Sequence, residues 1–398
     1  MAHDVNRIPL FEGVRGVLAS WVMLGHFLLF LALGQRPEVV GLKLRFISFV
    51  QNGAVPVALF MLLSGFVIHH LLVTGRESYR TYIGRRFLRL FPAFLVCMLI
   101  GIGASWCASN GFSAIPWKND AWLAHQSELG FLHRAHAVEN IAVHLTMLHG
   151  LVPRSFWPDA TGAFIGVGWS ISTEWQFYLV APLLLLATRS VKGWVLLIVA
   201  TLGATVLAST RTFMSVFAND SAAMLAFHLR YFVVGWLSYM FWRFVHDGQT
   251  PGRLKTAVGM IPAAVVVAIS VSNLAMALWC VLLACVVRHR FAPEAVESRL
   301  IDRTLCSRAA LYLGKISYSL YLGHWPVAMI CLAAMSPLAT TLPYPVFAAA
   351  YIVTASAVSI GLAAALFHTV EAPAIRWAKN KFRETRDISA LSKATAPA

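Results

Sequence analysis

Long apolar runs separated by polar connections dominate the chain, and most of the runs are long enough to cross a bilayer as helices. Ten spans are expected, at roughly 14–34, 52–73, 87–108, 166–188, 193–209, 222–245, 256–270, 272–288, 312–335 and 344–367. The seventh and eighth are short, with Val271-Ser272-Asn273 between them, and read equally as one broken segment. The pattern predicts an all-α, polytopic membrane protein of about ten transmembrane helices. Residues 1–9 form an N-terminal arm, 10–377 the membrane domain, and 378–398 a polar tail too poor in apolar residues to order itself. No small-residue cleavage site follows the first run, so it is expected to stay as the first helix.

The first run, Phe11 to Phe30, carries two polar side chains that it cannot hide cheaply, Arg15 and His26. Eleven helical steps of about 100° come to three turns plus roughly 20°, so both point the same way, about 16 Å apart along the axis. One helix face then presents a cation near one membrane surface and an imidazole near the middle. Ionisable groups at that depth suggest a functional site. The plainer alternative is an end-of-helix anchor and a histidine packed on a neighbouring helix.

Composition sharpens this picture. Of 398 residues, 59% are hydrophobic, far from the balance of a soluble domain. The net charge of +15 could suggest a nucleic-acid partner, but the 32 Lys and Arg sit in some connections and not in others. Twenty-three fall on one candidate side and seven on the other, with Arg15 and Arg230 inside spans. That asymmetry is a topology signal. It puts both termini in the cytoplasm, in agreement with an even number of spans, which requires them to share a side, and no nucleic-acid partner is expected. Cys97, Cys107, Cys280, Cys285 and Cys331 lie in or beside apolar runs and read as packing residues, not as a disulfide framework. The longest polar connection, about 109–165, holds His125, His133, His136, His144 and His149. The HxxH at 133–136 lacks an acidic or cysteine partner at ligand spacing, so no metal is expected. The connection reads as a loop packed over the membrane mouth, with Ile141 to Val152 apolar enough to dip into the bilayer.

Six further stretches complete the pattern. They are LFMLLSGFVI at 59–68, RRFLRLFP at 85–92, WSISTEWQFYLVAPLLLL at 169–186, Arg230 with Gly235, LGKISYSLYLGHWPV at 313–327, and VEAP at 370–373. With Arg15-x10-His26 they resemble, in order, the signature segments of the acyltransferase-3 family of integral membrane O-acyltransferases, from Leu10 to about Trp377. A lone R-x10-H would say little; the ordered set is specific. The chain departs from the family pattern at Glu12, where Asp is usual, and at Ala58, Met61 and Trp175, so no carboxylate at 58 or 175 can be invoked. The extra extracytoplasmic domain that some relatives carry is not expected here.

The resemblance implies acyl transfer from cytoplasmic acyl-CoA, with acetyl-CoA the expected donor, to a hydroxyl of a carbohydrate such as a polysaccharide or lipopolysaccharide. It also implies multi-pass residence in a bacterial inner membrane, among lipids. It does not name the acceptor or the oligomeric state. Such transfer needs a base and an oxyanion stabiliser. His26 is the best base, with Arg15 on the same face. Glu174 and His324 could orient it or line the same cavity. Glu174 equally suits a structural pair with Arg230, and His324 a backbone hydrogen bond at a helix end. Arg85, Arg86 and Arg89 suit the phosphates of coenzyme A, or else lipid head groups. Ser64 and Gly65 shape an acyl channel or a close helix contact. A transporter would use the same buried charges, but no inverted repeat is visible in the sequence. A non-catalytic scaffold would leave Arg15 and His26 unexplained.

Overall fold

The computed structural model describes residues 8–36, 38–75, 77–111, 115–117, 135–153, 156–157, 160–217, 223–247 and 273–382. Among these residues all regular structure is helical. The helices are α1 (Pro9–Phe30), α2 (Gly41–Gln51), α3 (Ala54–Gly75), α4 (Tyr79–Gly111), α5 (Ala137–Leu145), α6 (Trp169–Ala187), α7 (Val191–Ser209), α8 (Arg211–Phe217), α9 (Leu225–Asp247), α10 (Asn273–Phe291), α11 (Val296–Arg303), α12 (Arg308–Lys315), α13 (Ser317–Met335) and α14 (Tyr344–Leu366). A wide turn, Phe367–Glu371, joins α14 to a continuation that runs to residue 382. The last helix therefore passes the boundary expected at 377.

Every expected span coincides with a helix except 256–270, which lies outside the described residues. Among the described residues six helical stretches are long and apolar enough to cross a membrane unaided: Pro9–Phe30, Gly41–Gly75, Tyr79–Ser105, Lys192–Ser209, Ser317–Thr340 and Tyr344–Phe382. The ones that fall short are informative. α6 carries Ser170, Ser172, Thr173, Glu174 and Gln176, and α9 carries His228 and Arg230, so each is diluted by side chains turned to internal use. Large apolar residues such as Val17 and Leu29 on α1, Leu196 and Val206 on α7, and Val353 on α14 are exposed, as a lipid-facing surface requires.

Two features differ from the expected pattern. Helix α2 lies in what read as a connection, because Lys43 and Arg45 interrupt its apolar residues. The ninth span is broken at Ile316 into α12 and α13. Ser307 caps α12 by accepting a hydrogen bond from the Ala310 amide, so that short helix starts afresh.

Two packed groups meet along α1. In one, α3 packs against α6, α9 and α10, around wholly buried Phe66, Phe232, Trp236 and Trp279. In the other, α13 packs against α14 and α4, with Phe27, Phe347 and Tyr351 inside. Helix α1 touches α3 on one side and α12, α13 and α14 on the other. The helix that carries Arg15 and His26 is thus the seam of the bundle.

The long connection turns inward as well. His149 and His144 are fully buried, their rings stacked 4.0 Å apart, and Phe94 of α4 lies parallel to the pair. His149 Nε2 donates to the Gly168 carbonyl at 3.0 Å, and burial beside His144 holds His149 well below the ordinary imidazole range. His125 and His133 lie outside the described residues.

Candidate active site

On α1, His26 is half-buried. Its Nδ1 lies 2.9 Å from Nε2 of His324 on α13, across 298 residues of sequence. The two rings are near parallel, with centroids 5.2 Å apart. Trp325 meets the His26 ring edge-on at 5.1 Å. His324 is fully buried, with its Nδ1 3.0 Å from the Leu320 carbonyl one turn earlier. The backbone bond expected as the plainer role of His324 is therefore made, and so is the contact with His26.

Glu174 belongs to a second group. Its Oε1 accepts hydrogen bonds from Ser64 Oγ at 3.3 Å and from the Tyr178 hydroxyl, one turn along α6. It does not pair with Arg230, whose guanidinium lies over the Tyr231 ring at 5.1 Å. Arg86 sits over the Tyr178 ring at 5.9 Å. Arg15 interacts electrostatically with Glu12 and Glu174 and with the like charge of Arg89, and its buried Nε has no hydrogen-bond partner among the described residues. The bundle thus gathers Arg15, Arg86, Arg89, Glu174 and Ser64 at one end of the α1 seam. His26 and His324 stand about 16 Å further along α1, at 1.5 Å per residue.

Tyr321 stands between the two groups. Its ring edge meets His324 at 6.1 Å, its hydroxyl lies 2.8 Å from Ser170 Oγ, and it feels the charge of Glu174. Tyr178, Tyr321, Ser170 and Trp325 escaped the sequence reading, although each lies inside a quoted motif. For the first three the signal was a polar or aromatic position one helical turn from a candidate, as Tyr178 is from Glu174, whereas Trp325 directly follows His324.

Two of the three α4 arginines have carboxylate partners. Arg85 forms an ion pair with Glu77, and Arg89 donates to Glu371 at 3.1 Å. Gly65 faces the backbone of Phe232, and Gly235 that of Leu62. A Cβ at either position would collide with a carbonyl oxygen of the facing helix, so α3 and α9 meet backbone to backbone. Among the described residues no three His, Cys, Asp or Glu side chains cluster as metal ligands would.

A family model described as an acyltransferase domain, that of the acyltransferase-3 family, matches residues 8–364. The chain belongs to this family. The match takes in both polar groups of the seam and all of α1 to α13, so the protein is a membrane acyltransferase. No curated protein and no solved structure matches the chain. Along the α1 seam lie the partly buried imidazole of His26 and, at the other end, the guanidinium groups of Arg15, Arg86 and Arg89.

Proposed function

We propose that this acyltransferase takes an acyl group from cytoplasmic acyl-CoA, with acetyl-CoA the expected donor, and transfers it to a hydroxyl of a carbohydrate. The observation that carries the reading is the division of the α1 seam into a cationic end and an imidazole end. Coenzyme A has the same division: phosphates at one end, a thioester at the other, and a thin arm between them. Arg86, which no carboxylate pairs among the described residues, and Arg15, with its unpartnered Nε, suit the phosphates. The charge asymmetry of the connections supports placing that end and both termini in the cytoplasm of a bacterial inner membrane.

In this reading His26 takes the proton from the acceptor hydroxyl while the oxygen attacks the thioester carbonyl carbon. The carbon–sulfur bond breaks, and the coenzyme A thiolate leaves with that proton. The depth of His26 supports an acceptor that approaches from the far membrane face, with membrane lipids around the bundle.

The test is reconstitution in liposomes with acetyl-CoA and glycan extracted from cells lacking the gene. Release of the coenzyme A thiol together with an acetyl-sized mass increment on the glycan is expected. If the donor is consumed without glycan modification, the acceptor assignment fails. If no acyl-CoA is consumed by folded protein, the donor assignment fails.

A further inference from the structure

The contact between His26 and His324 fixes which atom does the chemistry. Leu320 offers His324 a carbonyl oxygen, which can only accept, so His324 Nδ1 carries a hydrogen. His324 is fully buried and no carboxylate bonds it among the described residues; a cation there would be costly, so the ring is neutral. Its Nε2 then holds a lone pair and no hydrogen. His26 Nδ1, 2.9 Å away, must be the donor. A neutral His26 that donates from Nδ1 has its lone pair on Nε2, on the opposite side of the ring. His26 is also the member of the pair that is only half-buried.

We propose that His324 is a positioning residue that holds the His26 Nδ1 hydrogen, leaving His26 Nε2 as the atom that takes the acceptor's proton. The inference rests on the reading of His26 as the base. As the acceptor oxygen bonds to the carbonyl carbon, its proton passes to Nε2. The resulting imidazolium keeps its Nδ1 hydrogen bond to His324, and the proton leaves with the thiolate when the carbon–sulfur bond breaks. The chain Leu320 carbonyl–His324–His26 fixes ring orientation and tautomer together. His324 itself has both nitrogens engaged and no route to a substrate.

The experiment compares His324→Gln, His324→Asn and His324→Leu in protein shown to be membrane-inserted and monodisperse in detergent. Gln carries a side-chain oxygen about as far from the backbone as Nε2 and can accept the His26 hydrogen. Asn is polar but reaches only about as far as Nδ1, and Leu accepts nothing. Gln should keep kcat within about tenfold of the wild type. Asn and Leu should lower kcat by about 10² or more, with donor KM nearly unchanged; a lost tautomer anchor elsewhere costs up to about 10⁴. If Leu fails to insert, the contrast between Gln and Asn decides. Equal loss in all three would make His324 a proton carrier itself and overturn the proposal, as would wild-type turnover in Asn or Leu. Failure of the underlying reading shows separately: His26→Gln would then retain turnover.

Discussion

Arg89 donates across 3.1 Å to Glu371, a carboxylate entirely shut from solvent, while about a quarter of the arginine side chain stays exposed. Ser319 Oγ donates to the second Glu371 oxygen at 2.8 Å. The wide turn Phe367–Glu371 delivers the carboxylate at the point where the last helix changes pitch, a kind of irregularity often found at working sites. Three elements far apart in sequence are thereby tied: α4, α13 and the end of the final helix.

That pair predicts an asymmetric mutational result. Arg89→Ala leaves a buried carboxylate without its cation and should cost about 3–5 kcal/mol. The double replacement Arg89→Met with Glu371→Leu removes both charges and should recover most of the loss, since a matched apolar pair is often neutral or better. Thermal unfolding in detergent reads both. A double variant as unstable as the single would place the value of Arg89 in some other contact.

Gly65 makes a different kind of prediction. Its missing Cβ is what lets α3 lie on α9, so Gly65→Ala must push the two backbones apart. The expected outcome is a loss of folded yield and thermal stability on the order of 1–3 kcal/mol, as for other overpacked sites. The surviving protein should keep its donor KM. An unchanged melting temperature with a raised donor KM would instead place Gly65 at the donor.

The polar side chains gathered along α1 were partly legible because they lie at fixed positions inside short motifs. Arg15 and His26 share a helix face by counting alone, while Tyr178, one turn from Glu174, was open to the same counting and was missed. Counting could not reach Glu371, the partner of Arg89 282 residues away, and although His324 was a candidate to orient His26, the 2.9 Å contact itself comes only from the packing. Apolarity finds a span but not its neighbours, so α1 emerged as the seam only from the packing. Helix α2 was missed because its basic residues look like a connection. Gly65 was read two ways, and only the facing carbonyl of Phe232 gives its packing partner.

His26→Gln should abolish transfer while the protein still inserts. Glutamine keeps polarity and approximate size but cannot act as a base. Removal of a general base costs about 10² to 10⁴ in rate. Arg15→Lys is its companion: charge is kept, the planar fork is lost, and the Nε that has no protein partner goes with it. It should raise donor KM more than it lowers kcat. Thiol release from acetyl-CoA measures both variants, and near-normal turnover in His26→Gln would remove His26 from the chemistry.

Neighbouring arginines on α4 should behave differently, because their partners differ. Arg85 already has Glu77, and Arg89 has Glu371, whereas Arg86 lies over the face of Tyr178 and no carboxylate pairs it among the described residues. A guanidinium over an aromatic face keeps its in-plane N–H groups free for phosphate oxygens. Arg86→Ala should therefore raise the KM for acetyl-CoA by about tenfold, the value of one charge-assisted hydrogen bond of about 1.5 kcal/mol. Arg85→Ala should change it little. The sharper comparison uses a short acetyl thioester that lacks the nucleotide. Wild type should use it poorly, and Arg86→Ala should use it no worse than wild type does, since the phosphates that Arg86 would grip are gone. If Arg86→Ala impairs both donors equally, Arg86 supports the fold or the acyl end, and the cationic end of the seam must be reassigned to lipid.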